Sequence, residues 1–292
     1  VKEKIGFAGM GIMGCPMALN LLKAGYPLMV YNRSPDKKKP ALEAGALGAA
    51  DPLDLALWAD VIILMLTGPD AVDDLLYGEK GLFVERSSLK TLINMSTVPS
   101  SYTRSLAGEL AGHGIAFIDA PVSGSKKPAE DASLVILAGG NKDLADRYEP
   151  LFLSLGKKVV YCGEAGQGSE MKVAVNLLLA IMMEGLCEAS NLAERNGLSL
   201  STFLDVVQSG ALHCPLFSAK GEMLKTRDYA PEFPLKHLLK DLRFALCSAD
   251  TSGVPIPAGH AVYQLYRQGA GRGLGDRDFA AVKKILETQS DI

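Results

Sequence analysis

A chain of 292 residues is long enough for about two domains at roughly 150 residues each. Its 30 Lys and Arg against 33 Asp and Glu leave a formal charge of −3, so there is no general electrostatic case for nucleic-acid binding. Hydrophobic residues at 48% and charged residues at 22% are an ordinary globular mixture, and 30 glycines are more than an all-helical bundle is expected to carry. The five cysteines (Cys15, Cys162, Cys187, Cys214, Cys247) contain no CxxC pair. That pattern argues against a disulfide framework or a metal site and fits a reducing compartment. The N-terminal residues lack the long apolar run of a signal peptide, and the longest apolar stretch, 173–183, is broken by Asn176 and too short to span a bilayer. A soluble cytoplasmic protein, with neither nucleic acid nor membrane as partner, is the expectation.

Apolar runs at 4–8, 28–32, 61–66, 91–95, 116–119, 134–138 and 158–162 read as strands, with amphipathic stretches such as 15–24 and 100–112 between them. Gly25 is placed to end the first of these helices, and Pro99 to open the second. This alternation predicts an α/β Rossmann-type domain over 1–165, with a mostly parallel, doubly wound sheet. Beyond it the pattern predicts an all-α domain over 166–292. Residues 172–193 are apolar on nearly every face, which predicts a buried central helix. Further helices are expected at 199–209, 215–224, 234–251, 258–268 and 279–286. So apolar a helix also suggests a partner subunit, and a homodimer or homotetramer is expected.

Gly9-Met10-Gly11-Ile12-Met13-Gly14 lies between the first strand and the first helix. The first glycine suits a tight turn, the second lets backbone approach a pyrophosphate, and the third permits close helix–strand packing. The helix N-terminus then faces the anion. A lone GxGxxG is weak, but its place inside a βαβ unit is the confirming context for a dinucleotide. At the end of the second strand the chain reads Asn32-Arg33-Ser34, with no carboxylate before Asp36. An acidic residue there would favour NAD; these donors and a positive charge suit the 2′-phosphate of NADP(H). Arg33 stacking on adenine in either cofactor is the plainer alternative. Met65 and Leu66 end another strand and are expected against the cofactor.

Lys172 stands at the start of the apolar helix, an unusual place for a charge. A partly buried lysine can hold a proton of suitable acidity for general acid catalysis. The plainer alternative is a lysine snorkelling from a helix end. Asn176, one turn on, shares its face and can orient substrate or lysine. Ser123-Gly124-Ser125 follows a strand and can form an anion-binding nest, or a simple turn. Thr97 lies at a C-terminal strand edge, where ligands of open α/β sheets gather, or else caps the next helix. Lys236, His237, Lys240 and Asp241 cluster after Pro234, a spacing that by itself describes a solvated face.

Four blocks of sequence resemble the β-hydroxyacid dehydrogenase (3-hydroxyisobutyrate dehydrogenase-like) family. They are residues 6–14 (GFAGMGIMG), 119–124 (DAPVSG), 166–176 (GQGSEMKVAVN) and Lys240-Asp241-Leu242. Residues 125–131 (SKKPAED) and 233–237 (FPLKH) are similar to the glyoxylate and succinic semialdehyde reductase branch. The resemblance implies that Lys172 is the catalytic acid and that Ser123 and Gly124 hold the substrate's carboxylate. It places Thr97 against cofactor and substrate, Lys240 against the cofactor, and Asp241 beside Lys172 as a positioning group. Phe233 would form an apolar wall, and His237 ranks second as an acid. The implied activity is NADPH-dependent reduction of small aldehyde acids. Alternatives are a 3-hydroxyisobutyrate dehydrogenase using NAD(P), or a non-catalytic NADP-binding module. A 6-phosphogluconate dehydrogenase has a much larger helical domain than this chain can supply.

Overall fold

The computed structural model describes residues 2–83 and 88–289. Contacts divide the chain into two compact units, Val1–Lys172 and Val173–Ile292.

In the first unit the described residues form nine strands: β1 (Ile5–Ala8), β2 (Leu28–Tyr31), β3 (Leu47–Gly48), β4 (Val61–Leu64), β5 (Thr91–Asn94), β6 (Ala116–Asp119), β7 (Val122–Ser123), β8 (Leu134–Gly140) and β9 (Gly156–Gly163). The order β3-β2-β1-β4-β5-β6 is parallel throughout, which is the strand order of a dinucleotide-binding sheet. At the far side β8 runs antiparallel to β6 and β7, and β9 runs parallel to β8. Strands β1 and β4 read IGFA and VIIL and are buried along their whole length, as strands covered on both faces must be. Their residues alternate between two cores. Phe7 and Ile63 join the core with Met17 and Leu21, whereas Ala8, Ile62 and Leu64 join Leu55, Val72 and Leu106.

Helices α1 (Gly14–Lys23), α2 (Lys39–Glu43), α3 (Pro52–Trp58), α4 (Pro69–Tyr77), α5 (Ser100–Gly112), α6 (Lys126–Glu130), α7 (Lys142–Arg147) and α8 (Glu149–Phe152) connect the strands. Helix α1 ends as its glycine predicts. Gly25 takes φ +77° and donates to Leu22 O (2.8 Å), and Tyr26 N–H donates to Leu21 O (3.1 Å). Strands β4 and β5 stop at Leu64 and Asn94, short of the expected 66 and 95, so Met65, Leu66 and Met95 lie just past the strand ends. Strands β3 and β7 are two residues each, too short to leave an alternating signature in sequence.

The helix α9 (Gln167–Arg195) begins in the first unit and continues into the second. Its first turn is joined to β6 through Asp119 and Ser169, and the division between the compact units falls after Lys172. Its burial differs from expectation. One stripe is buried (Val173, Asn176, Ala180, Met183, Cys187, Ser190), while Met171, Leu178 and Leu192 are exposed. At 29 residues, with an 18-residue window of mean hydropathy 1.6, it is also long and apolar enough by composition to cross a membrane. The expectation of too short a run rested on residues 173–183 alone. Asn176 and Ser190 on the buried stripe, and packing of Ala180, Met183 and Cys187 with the helices that follow, make it a core helix of the second unit.

That unit continues with α10 (Leu200–Ser209), α11 (Pro215–Thr226), α12 (Leu235–Ser252), α13 (Pro257–Gly271), a 3-10 turn (Phe279–Val282) and α14 (Lys283–Gln289). The single helix expected at 279–286 is thus a turn and a helix. Asp278 starts the turn, accepting the Ala280 N–H (3.1 Å). Two lysines are buried here with acidic partners. Lys220 Nζ lies 3.0 Å from Asp278 and 2.9 Å from Glu232, and Lys283 Nζ lies 2.5 Å from Glu194.

Candidate functional site

The three fingerprint glycines take three different physical roles. Gly9 has φ +103°, and a Cβ there would lie 2.2 Å from Met65 O. A Cβ on Gly14 would lie 1.8 Å from Gly9 O, so the start of α1 can close on the loop only without a side chain. Gly11 has nothing within 4 Å of its Cβ position, leaving its backbone open on that side. The first turn of α1 has no acidic residue, and Met13 at its N-cap makes no side-chain cap. Open backbone at Gly11 and an uncapped, positive helix end fit the pyrophosphate of a nicotinamide dinucleotide. Met10 and Gly14 are buried here, whereas Ile12 is exposed.

Asn32 braces this loop. Its Oδ1 accepts the Met10 N–H (2.8 Å) and its Nδ2 donates to Ser34 O (3.0 Å). One of the two Nδ2 hydrogens of the side chain expected to face a 2′-phosphate is thus used within the loop. Arg33 and Ser34 are exposed at the end of β2, as is Lys37 on the turn that follows. Asp36, the first carboxylate after the strand, is paired with Lys39 (2.8 Å). Lys37 carries a charge that the motif-based reading overlooked, because it stands five residues beyond Asn32 and outside the block Asn32-Arg33-Ser34.

The other expected residues of the first unit also gather at the C-terminal edge of the sheet. The β1–β4 pair is where strand order reverses, the crevice in which such sheets bind ligands. Met65 N–H donates to Ala8 O (2.9 Å), and Leu66 N–H donates to Ser96 Oγ (2.8 Å). Ser96 is held in turn by Asn94, whose Oδ1 accepts its N–H (3.0 Å). Thr97 follows directly, half-buried, before α5. Ser123 ends β7, and Gly124 takes φ +137°, where a Cβ would lie 2.7 Å from Leu134. Lys172 is buried, with 7% of its surface exposed, so it is not a lysine reaching out from a helix end.

Sequence reasoning missed Asp119 as more than part of a motif. Fully buried at the end of β6, it accepts the Ser169 N–H and the Ser169 hydroxyl, both at 2.8 Å. Burial pushes its carboxyl up to about 6, against the pull of donors at Ser169, Gly166 and Gly168. Its partner lies 50 residues away, so no local pattern announces it.

In the second unit Asn176 is buried and its Nδ2 donates to Asp241 Oδ2 (2.7 Å). Asp241 is also buried, and its Oδ1 lies 3.0 Å from Lys240 Nζ, which sits over the Phe244 ring. The spacing of Lys236, His237, Lys240 and Asp241 suggested a solvated face; only Lys236 is exposed, paired with Asp276 (2.6 Å). Burial, then Lys240 and Lys236, hold the His237 imidazole below its usual range. Phe233 packs edge-on against Phe279, with ring centroids 5.7 Å apart. Among the described residues no group of three His, Cys, Asp or Glu side chains is arranged to hold a metal ion.

The NAD-binding domain family of 6-phosphogluconate dehydrogenase matches residues 4–163, and the NAD-binding family of NADP-dependent 3-hydroxyisobutyrate dehydrogenase matches residues 166–286. The chain is 39% identical over 284 residues to glyoxylate/succinic semialdehyde reductase 1 of Arabidopsis thaliana, covering 97% of this chain and 98% of that protein. The chain belongs to the β-hydroxyacid dehydrogenase family. It is 34% identical to the mitochondrial 3-hydroxyisobutyrate dehydrogenase of Mus musculus over 295 residues, covering 99% and 88% of the two chains. A solved 3-hydroxyisobutyrate dehydrogenase from Mycobacterium tuberculosis with L-serine is 28% identical, with a TM-score of 0.84 over 98% and 99% of the chains. This member of the family is an NAD(P)-dependent oxidoreductase of the hydroxyacid dehydrogenase type.

Proposed function

We propose that the protein reduces small aldehyde acids such as glyoxylate and succinic semialdehyde to their hydroxy acids with NADPH, and that Lys172 supplies the proton. The carrying observation is a buried lysine in the second turn of α9, in a chain similar over nearly its whole length to a reductase of those substrates. When bound, the reduced nicotinamide supplies hydride for the carbonyl carbon. Lys172 Nζ donates a proton to the carbonyl oxygen, so an aldehyde plus hydride plus proton becomes an alcohol. Ser123 and the backbone at Gly124 hold the carboxylate. Asn176, one helical turn after Lys172, orients the substrate, and Asp241 fixes its amide. The NADPH preference is supported by exposed Arg33 and Lys37 and by the engagement of Asp36 with Lys39. Association into a homodimer or homotetramer is supported by Met171, Leu178 and Leu192, exposed on α9.

Initial rates with glyoxylate and succinic semialdehyde, each with NADPH and with NADH, test this reading. Turnover of either acid with a clear NADPH preference is expected. Silence in all four assays, with NADP⁺-dependent oxidation of 3-hydroxyisobutyrate, would replace the substrate and keep the proton donor.

A further inference from the structure

The helix that carries Lys172 is fastened at its first turn by a carboxylate from another element. Asp119, at the end of β6, meets the backbone N–H and the hydroxyl of Ser169 at 2.8 Å each. Two glycines make that approach possible. A Cβ on Gly168 would lie 2.4 Å from Leu137 O and 3.0 Å from Asp119 O, and one on Gly139 would lie 2.8 Å from Gly168 N. A negative charge at a helix N-terminus is favourable in itself, because the first amides of the helix have no intrahelical acceptors. The attachment is extended to α5. Ser169 Oγ lies 2.9 Å from Thr103 Oγ1, and the Ser100 hydroxyl donates to Glu170. Helix α5 begins three residues after Thr97, so one buried polar cluster fixes the starts of both segments that carry expected site residues.

We propose that Asp119, acting through Ser169, is a positioning residue for Lys172. Lys172 lies three positions after Ser169, less than one helical turn, so a shift of the first turn is transmitted to the lysine without an intervening joint. A misplacement of about 1 Å can cost on the order of 10²-fold in rate, which makes so firm an attachment consequential. The proposal rests on the reading of Lys172 as proton donor.

Ser169→Ala tests it, because that change removes the shared hydroxyl and keeps the helix amides. It is measured beside Asp119→Asn, in which an amide group faces the Ser169 N–H, and Lys172→Ala. The readouts are kcat and KM for the better of the two aldehyde acids, NADPH affinity, melting temperature and the solvent deuterium isotope effect on kcat. Ser169→Ala is expected to bind NADPH as the parent does, to lose about 10-fold in kcat and to show a larger isotope effect, as proton transfer becomes more limiting. Asp119→Asn is expected to lose about 100-fold; should it fail to fold, Ser169→Ala decides alone. A kcat and isotope effect within twofold of the parent in Ser169→Ala, with only the melting temperature lowered, would overturn the proposal and leave the cluster as a helix anchor. Retention of substantial turnover by Lys172→Ala would instead overturn the reading on which it rests.

Discussion

The two units specify their structures by different means. In the first unit the fingerprint loop and the Ser123-Gly124 turn are shaped by backbone: Gly9, Gly14 and Gly124 sit where a Cβ would collide, and the fingerprint loop closes on Met65 O. In the second unit charged side chains are taken into the interior, with Lys220 on Asp278 and Lys283 on Glu194. A glycine pattern is local and constrains the chain through steric exclusion. A buried ion pair is remote in sequence and becomes costly when either partner is lost. The contrast says where each unit is fragile.

The largest effect is expected in the helical unit. Lys220→Ala would leave Asp278 fully buried without its cation, and denaturant unfolding should show a loss of about 3–5 kcal/mol. Phe233 should loosen with it, because Asp278 Oδ2 also accepts the Glu232 and Phe233 N–H groups at 3.1 and 3.0 Å. A loss below about 1 kcal/mol, the range of an exposed pair, would erase the contrast between the units. Gly14→Ala is the matching test in the first unit. Its Cβ would meet Gly9 O at 1.8 Å, so α1 must move, at a cost of about 1–3 kcal/mol. NADPH affinity, followed by titration, should fall at least about 10-fold, a factor equivalent to about 1.4 kcal/mol.

Arg33→Ala should act on the cofactor without touching the fold, since Arg33 is exposed. Loss of one charge-assisted contact predicts about a 10-fold weaker binding of NADPH and no change for NADH. Equal weakening of both cofactors would point to adenine stacking instead. The smallest effect concerns His237. Its folded pKa lies below the usual 6.5, so the folded state favours the neutral imidazole. Stability from this group is therefore present above about pH 6.5 and is lost as pH falls through that range. His237→Gln should flatten this part of a stability–pH profile, and an unchanged slope would exclude His237 as its source.

The same contrast explains what the sequence could reveal. The strand, glycine loop and helix from Ile5 to Lys23 were legible because turn geometry and periodicity act over a few residues. Lys172 stood out as a charge on an apolar helix. Asp119 did not, because its meaning lies in Ser169, 50 residues on, and the pairs of Lys220 and Lys283 lie 58 and 89 residues apart. Asn32 was recognised at the strand end, but its part in the loop was not. Its amide braces Met10 and Ser34, a use that only the folded loop displays. Burial of α9 was overestimated because composition does not tell which apolar face meets the core.

The central claim is that a buried lysine in the second turn of α9 delivers the proton. Lys172→Ala tests it most directly, with kcat for the aldehyde acid and NADPH affinity measured on the same preparation. The account predicts a kcat lowered by at least about 10²-fold with NADPH affinity nearly unchanged. More than about a tenth of the parent kcat, with NADPH still bound, would contradict it.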